Sequence, residues 1–119
     1  MQNTIDTAEY CPTPGHICGR WLTKEVWIDG NLIEPSVSLQ FVRHSPDGFN
    51  WSYNGSGPAQ LAFGILQHLA GTEFALKNYQ HFNAEFLGGL PPTNFAIDVA
   101  SVRQWILAMQ SLVQEGSVQ

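Results

Sequence analysis

Apolar positions along the chain change their period near Tyr53. Upstream, Ile17 to Leu22, Glu25 to Ile28 and Val37 to Arg43 are rich in β-branched and aromatic residues and are separated by turn formers, a pattern that predicts strands. Asp29-Gly30-Asn31 takes positive φ at little cost and suits a hairpin connection. Val37, Leu39 and Phe41 recur at every second residue, which gives a strand there one apolar face. Ser45-Pro46-Asp47-Gly48 reads as a turn, because proline presets φ at the second turn position and glycine relieves the exit. Phe49 to Tyr53 then returns as the last strand of a meander.

Beyond Gly57 the period is helical. Leu61, Ile65 and Leu69 stand four apart with Ala62 and Leu66 beside them, predicting a first helix that ends near Gly71. A second, from about Thr72 to Leu87, carries Ala75, Tyr79, Phe82 and Phe86 on one side, starts at a threonine cap and stops at Gly88-Gly89 before Pro91-Pro92. A third begins after Asp98 as N-cap and buries Val99, Val102, Ile106, Met109 and Val113, flanked by Trp105 and Leu112. Strands followed by helices imply an α+β fold: an N-terminal antiparallel β-meander of three to four strands, then three helices packed on one face. Residues 1–15 are expected as an N-terminal arm, 16–114 as a single domain and 115–119 as a frayed tail.

Composition narrows the functional classes. At 119 residues there is room for one hydrophobic core, and 44 % apolar against 13 % charged residues excludes disorder driven by charge. The formal charge of −5 is spread along the chain, so the basic footprint of a nucleic-acid binder is missing and no direct nucleic-acid binding is expected. No apolar run approaches the ~20 residues of a membrane span, and the polar start from Met1 to Glu9 lacks the basic and apolar regions of a secretory signal, so a cytoplasmic protein without membrane association is expected.

Candidate chemistry is sparse. Cys11 and Cys18 lie seven apart around His16, without the paired spacing of a zinc site, and free thiols are expected rather than a disulfide. His16, His44, His68 and His81 are scattered, and none stands in a metalloprotease or nucleophile-elbow setting; a Cys18 and His44 pair depends on a strand pairing that the sequence does not show. A non-enzymatic protein without metal or cofactor is the expectation.

The richest stretch runs from Phe49 to Ala62, where strand passes abruptly into helix. Gly55 and Gly57 permit positive φ, and Pro58 presets the first helical position, where a missing N–H costs nothing. Such a junction is expected to leave the amides of Ala59, Gln60 and Leu61 unpaired at the positive end of a helix, where they suit a phosphate or carboxylate, with Gly55, Ser56, Gly57, Ala59 and Gln60 as the anion-binding set. A purely structural turn accounts for the same residues, and no lysine or arginine lies within the motif. The Walker and dinucleotide patterns are both incomplete: the first lacks Gly-Lys-Ser/Thr, and the second has Gln60 where a third glycine belongs.

This stretch also carries a resemblance. Trp51-x-Tyr53 followed by Gly55-Ser56-Gly57-Pro58-Ala59-Gln60-Leu61-Ala62 is similar to the family of domain of unknown function sixty-one sixty-six. Tyr79-x-x-Phe82, Leu90-Pro91, Trp105 and the Val26 to Gly30 strand and turn extend the likeness from Ile17 to Trp105. The chain departs from it at Ser52, where glycine is expected, and at Phe63-Gly64 within a helix usually rich in alanine and leucine. The resemblance implies a shared fold and occurrence in phage, plasmid and other mobile-element genes, and it implies no activity and no catalytic residue.

Trp21, Trp27, Trp51, Tyr53 and Trp105 are many aromatic residues for so small a domain. Alternation of Trp27 with Val26 and Ile28 turns it away from the main core, where it either meets a partner or lies beneath the segment from Met1 to Gly15. The aromatic residues lead to the expectation of an interaction protein that binds a host protein through Trp27, Trp51 and Tyr53, and the family resemblance adds the expectation that it is of phage or plasmid type, an anti-defence (anti-CRISPR-like) inhibitor. The alternative is a binder of a nucleotide or other phosphate ligand that uses the helix N-terminus at Gly55-Ser56-Gly57-Pro58.

Overall fold

The computed structural model describes residues 13–43 and 48–118, with side chains of the last helix described as far as 112. Cys11, His44 and the Ser45 to Asp47 part of the expected turn lie outside the described residues, as does most of the expected N-terminal arm.

Three strands form an N-terminal meander, β1 (His16–Gly19), β2 (Val26–Ile28) and β3 (Asn31–Ile33); the first two overlap expected strands, and the third is not among those expected. Asp29 and Gly30 connect β2 to β3 with φ of 53° and 84°, the two positive values of a type I′ hairpin turn, so the local chemistry anticipated from the sequence sets the register Ile28↔Asn31. Helix α1 (Pro35–Leu39) follows, then α2 (Ser56–Ala70), α3 (Thr72–Phe82) with a π-helical continuation at Asn83–Leu87, β4 (Phe95–Asp98) and α4 (Val99–Val118). The sheet is antiparallel throughout, in the order β3-β2-β1-β4. The fold is α+β.

Two expected strands are absent, and the fourth strand comes from elsewhere. Alternation predicts extended chain from Val37 to Arg43, yet Pro35 at the first helical position starts α1 instead, and the period-two face dissolves: Val37 and Phe41 are exposed while Ser38 is buried. Phe49 to Tyr53 runs as irregular chain with no strand partner among the described residues. β4 pairs with β1 at the far edge, Ile17 opposite Ile97 and Gly19 opposite Phe95. The second helix follows the expected span but opens from Gly71 without a side-chain cap, so Thr72 is its first residue rather than its cap. α4 begins directly after Asp98, as anticipated, and continues to Val118, past the point where fraying is expected.

One face of the sheet carries Ile17, Val26, Ile28 and Ile33, all buried, against α2. From Gly57 to Leu66 every residue of α2 is buried, so this helix is the centre of the fold rather than an amphipathic cover. α3 packs on it through Ala75 and Phe82, and Trp105 of α4 meets Phe74, Phe82 and Phe86 edge-on at 5.6–6.3 Å. Val99, Val102 and Ile106 are buried as their helical spacing anticipates, whereas Leu107 and Leu112 are exposed.

The backbone accounts for the departure at Gly64 and not for the one at Ser52. Ser52 has φ of 77°, a left-handed conformation that disfavours side chains, so a glycine fits that position better. Gly64 lies where a Cβ would stand 2.9 Å from the ring of buried Phe49, so its missing side chain is what lets Phe49 and α1 close onto α2. Ser52→Gly is expected to raise stability by about 1 kcal/mol in urea unfolding. Gly64→Ala, which helix propensity alone would favour by about 1 kcal/mol, is expected to lower the urea midpoint because Phe49 must be displaced.

Candidate functional site

Between the meander and the start of α2 lies a groove of about 560 Å³. One wall is the β1–β2 loop at Thr23, Lys24 and Glu25. A second is the end of β3 and the start of α1, from Leu32 to Pro35. Gly48, Phe49, Asn50, Tyr53 and Ser56 close it. A neighbouring groove of about 280 Å³ shares Leu32, Ile33, Glu34 and Phe49 and is completed by Val37, Ser38, Gly64, Gln67 and His68.

The loop that shapes the first groove is held by the indole of Trp51. This residue is fully buried and stands edge-on to Phe95 at 4.8 Å and to Trp21 at 5.7 Å. Its Nε1 donates to the Thr93 carbonyl at 2.9 Å, which ties the chain before α2 to the approach to β4. Trp51 is therefore a core residue; it offers no surface to a partner, contrary to the sequence expectation. Tyr53 is about half exposed and folds back over the helix start. A Cβ on Gly55 would come within 2.6 Å of its ring, and one on Gly57 within 2.5 Å of its hydroxyl. Neither glycine has positive φ; Gly55 is extended at −177° and Gly57 is helical, so both are required for close approach rather than for backbone handedness.

The anion-binding set changes accordingly. α2 begins at Ser56, so the Ala59 N–H already donates to the Gly55 carbonyl at 3.2 Å, and those of Gln60 and Leu61 fall inside the helical ladder. Pro58 is the third helical residue, not the first, and contributes no N–H. Gly57, Ala59 and Gln60 are buried, which leaves Gly55 and Ser56 as the members of the set within reach of solvent. The Gln60 side chain serves the structure instead. Its Nε2 donates to Ser38 Oγ and to the Val42 carbonyl, each at 2.9 Å, and so bolts α1 and the following turn to α2.

Lys24 is the residue that the motif-based reading missed. It lines the same groove as Ser56, although 32 positions separate them in the chain (56 − 24). Its Nζ lies 3.4 Å from the centroid of the Trp21 ring and 5.7 Å from that of Trp51, and donates to the Trp21 carbonyl at 2.6 Å. Desolvation lowers its pKa from the ordinary lysine value. The sequence signal was local, a lysine three residues after a tryptophan, and the fold supplies the rest. Glu25 and Glu34 line the groove as well, so its wall carries two carboxylates against one ammonium. Glu25 also pairs with Arg20 at 3.7 Å.

Trp27 lies on the opposite sheet face, as alternation anticipates, between Cys18 and Leu32 of the adjacent strands, with the Arg20 guanidinium 5.3 Å from its ring centroid. It is half-buried, and Cys18 is buried. The Cys11–Cys18 pairing and the Cys18–His44 pair each include a residue outside the described residues. His68 and His81 are exposed on separate helices. Among the described residues no cluster of histidine, cysteine or carboxylates is arranged to hold a metal, and no helix is long and apolar enough to cross a membrane.

A family model described as a family of unknown function (DUF6166) matches residues 18–108. No curated protein and no solved structure matches the chain. The matched segment takes in the sheet from Cys18 onward, both groove walls and the Trp51 to Ala62 junction, and covers well over half of the sequence. The chain belongs to DUF6166.

Proposed function

We propose that the chain is a non-enzymatic interaction protein of phage or plasmid type, an anti-defence inhibitor that occupies a host protein in the cytoplasm. The observation that carries the interaction reading is the apolar character of the groove rims: Leu32, Val37 and Tyr53 are 43 %, 51 % and 49 % exposed while lining the two grooves. Phe41, beyond α1, and Leu22, at the tip of the β1–β2 loop, are exposed too. Apolar side chains gathered at the mouth of a concavity are the usual mark of a protein-binding surface. Mobile-element origin and counter-defence come with the family resemblance rather than from these residues.

A second reading, a nucleotide or other phosphate ligand held at the start of α2, draws support from Lys24 across the groove from Ser56. The two carboxylates of the same groove oppose it, and the free amides of α2 are fewer than the motif suggested.

A tagged chain should retain a discrete protein from a host lysate, and Val37→Glu should reduce that retention at least tenfold without altering the circular dichroism. Retention of no protein above background contradicts the interaction reading. In a thermal-shift series with nucleotides, no shift is expected; stabilisation approaching the ~2.7 kcal/mol that accompanies a ligand at 100 times its Kd would instead favour the phosphate reading.

A further inference from the structure

The hairpin register fixes which backbone groups of β3 face outward. In a two-residue hairpin the residues flanking the turn, here Ile28 and Asn31, exchange both of their hydrogen bonds, and the next pair, Trp27 and Leu32, does not bond across the ladder. Trp27 directs its own groups to Cys18 of β1, consistent with the Arg20 N–H to Glu25 carbonyl bond of 2.9 Å and the Asp29 N–H to His16 carbonyl bond of 3.1 Å in the same register. The N–H and C=O of Leu32 therefore point away from the sheet along its outer edge, since β3 is the terminal strand.

Edge strands of folded proteins are commonly blunted by lysine, proline or a bulge at the exposed residue. β3 is short, at three residues, and presents Leu32, which is 43 % exposed and lines both grooves. The two grooves share Leu32, Ile33 and Glu34, so a strand added at this edge would run beside both recesses. Glu34 stands at the junction of both grooves, exposed, with no side-chain partner among the described residues. The chain as a whole carries −5.

From this juxtaposition we infer that the outer edge of β3 receives an extended segment of a partner protein that carries a lysine or arginine, which pairs its backbone with Leu32 and places its basic side chain on Glu34. The inference rests on the interaction reading and adds to it the place, the backbone mode and the charge of the partner.

Panning the full chain against a phage-displayed library of random 12-residue peptides tests it. Enriched peptides are expected to combine alternating apolar residues with a lysine or arginine. Their binding should slow hydrogen exchange at the Leu32 amide and should weaken at least tenfold in Glu34→Lys, an exposed substitution whose folding is checked by circular dichroism. No enrichment overturns the inference, and so do peptides that bind Glu34→Lys equally well or leave Leu32 exchange unchanged. The interaction reading is separable: if the wild type and Glu34→Lys retain the same host protein equally, that reading stands and the edge-strand inference falls.

Discussion

The burial of one indole, that of Trp51, is the constraint on which the rest of the architecture depends. The residue sits in irregular chain, not in a strand, and yet it is among the largest fully buried side chains of the molecule. Its ring fills the space between Trp21 and Phe95, and its N–H satisfies the Thr93 carbonyl, so the segment before α2 is fixed to the Gly19–Phe95 end of the β1–β4 pair without entering the sheet. With that anchor set, the left-handed turn at Ser52 and the return of Tyr53 over Gly55 and Gly57 leave a single direction in which α2 can start. A buried indole whose N–H lacked a partner would lose about 1–3 kcal/mol of what its packing brings; here geometry and hydrogen bonding agree.

From the position of α2 the grooves follow. Because its first ten residues after Ser56 are wholly buried, the surfaces left for recognition are made by the elements around it: the β1–β2 loop, the β3 edge and α1. The Gln60 amide holds α1 through Ser38 and Val42, and the missing side chain of Gly64 admits Phe49, the floor common to both grooves. Residues of the Gly-Ser-Gly-Pro-Ala-Gln motif thus shape a surface mainly from beneath. Their chemistry is that of close approach and buried polar satisfaction, which is why a motif that looks like a phosphate loop in one dimension becomes a packing junction in three.

Much of the fold was legible where the local and the tertiary signals agreed. Asp29-Gly30 specifies a hairpin by its own φ preferences, and the helical periods of α3 and α4 coincide with much of what they bury, whereas α2 is buried on every side from Gly57 to Leu66. The misreadings arose where a short pattern fits two structures. Val37, Leu39 and Phe41 alternate like a strand, but Pro35 just before them is an equally good helix start, and the burial of Ser38 against Gln60 decided between the two. Phe49 to Tyr53 has strand-like composition, yet the fourth strand is Phe95–Asp98, which pairs with β1, runs directly into a helix and carries little periodic signal of its own. The site was less legible than the fold. Trp51 and Tyr53 read alike as aromatic neighbours, and only packing separates a core anchor from a groove wall. Lys24 belongs to the groove through a loop whose closure no local pattern announces.

Urea unfolding of Trp51→Ala beside Trp27→Ala weighs the central constraint most directly. Loss of the Trp51 indole should cost about 3–5 kcal/mol, the range for removing a fully buried large aromatic, and clearly more than loss of half-buried Trp27. A Trp51→Ala protein that unfolds within about 1 kcal/mol of the wild type, or no earlier than Trp27→Ala, would contradict the account.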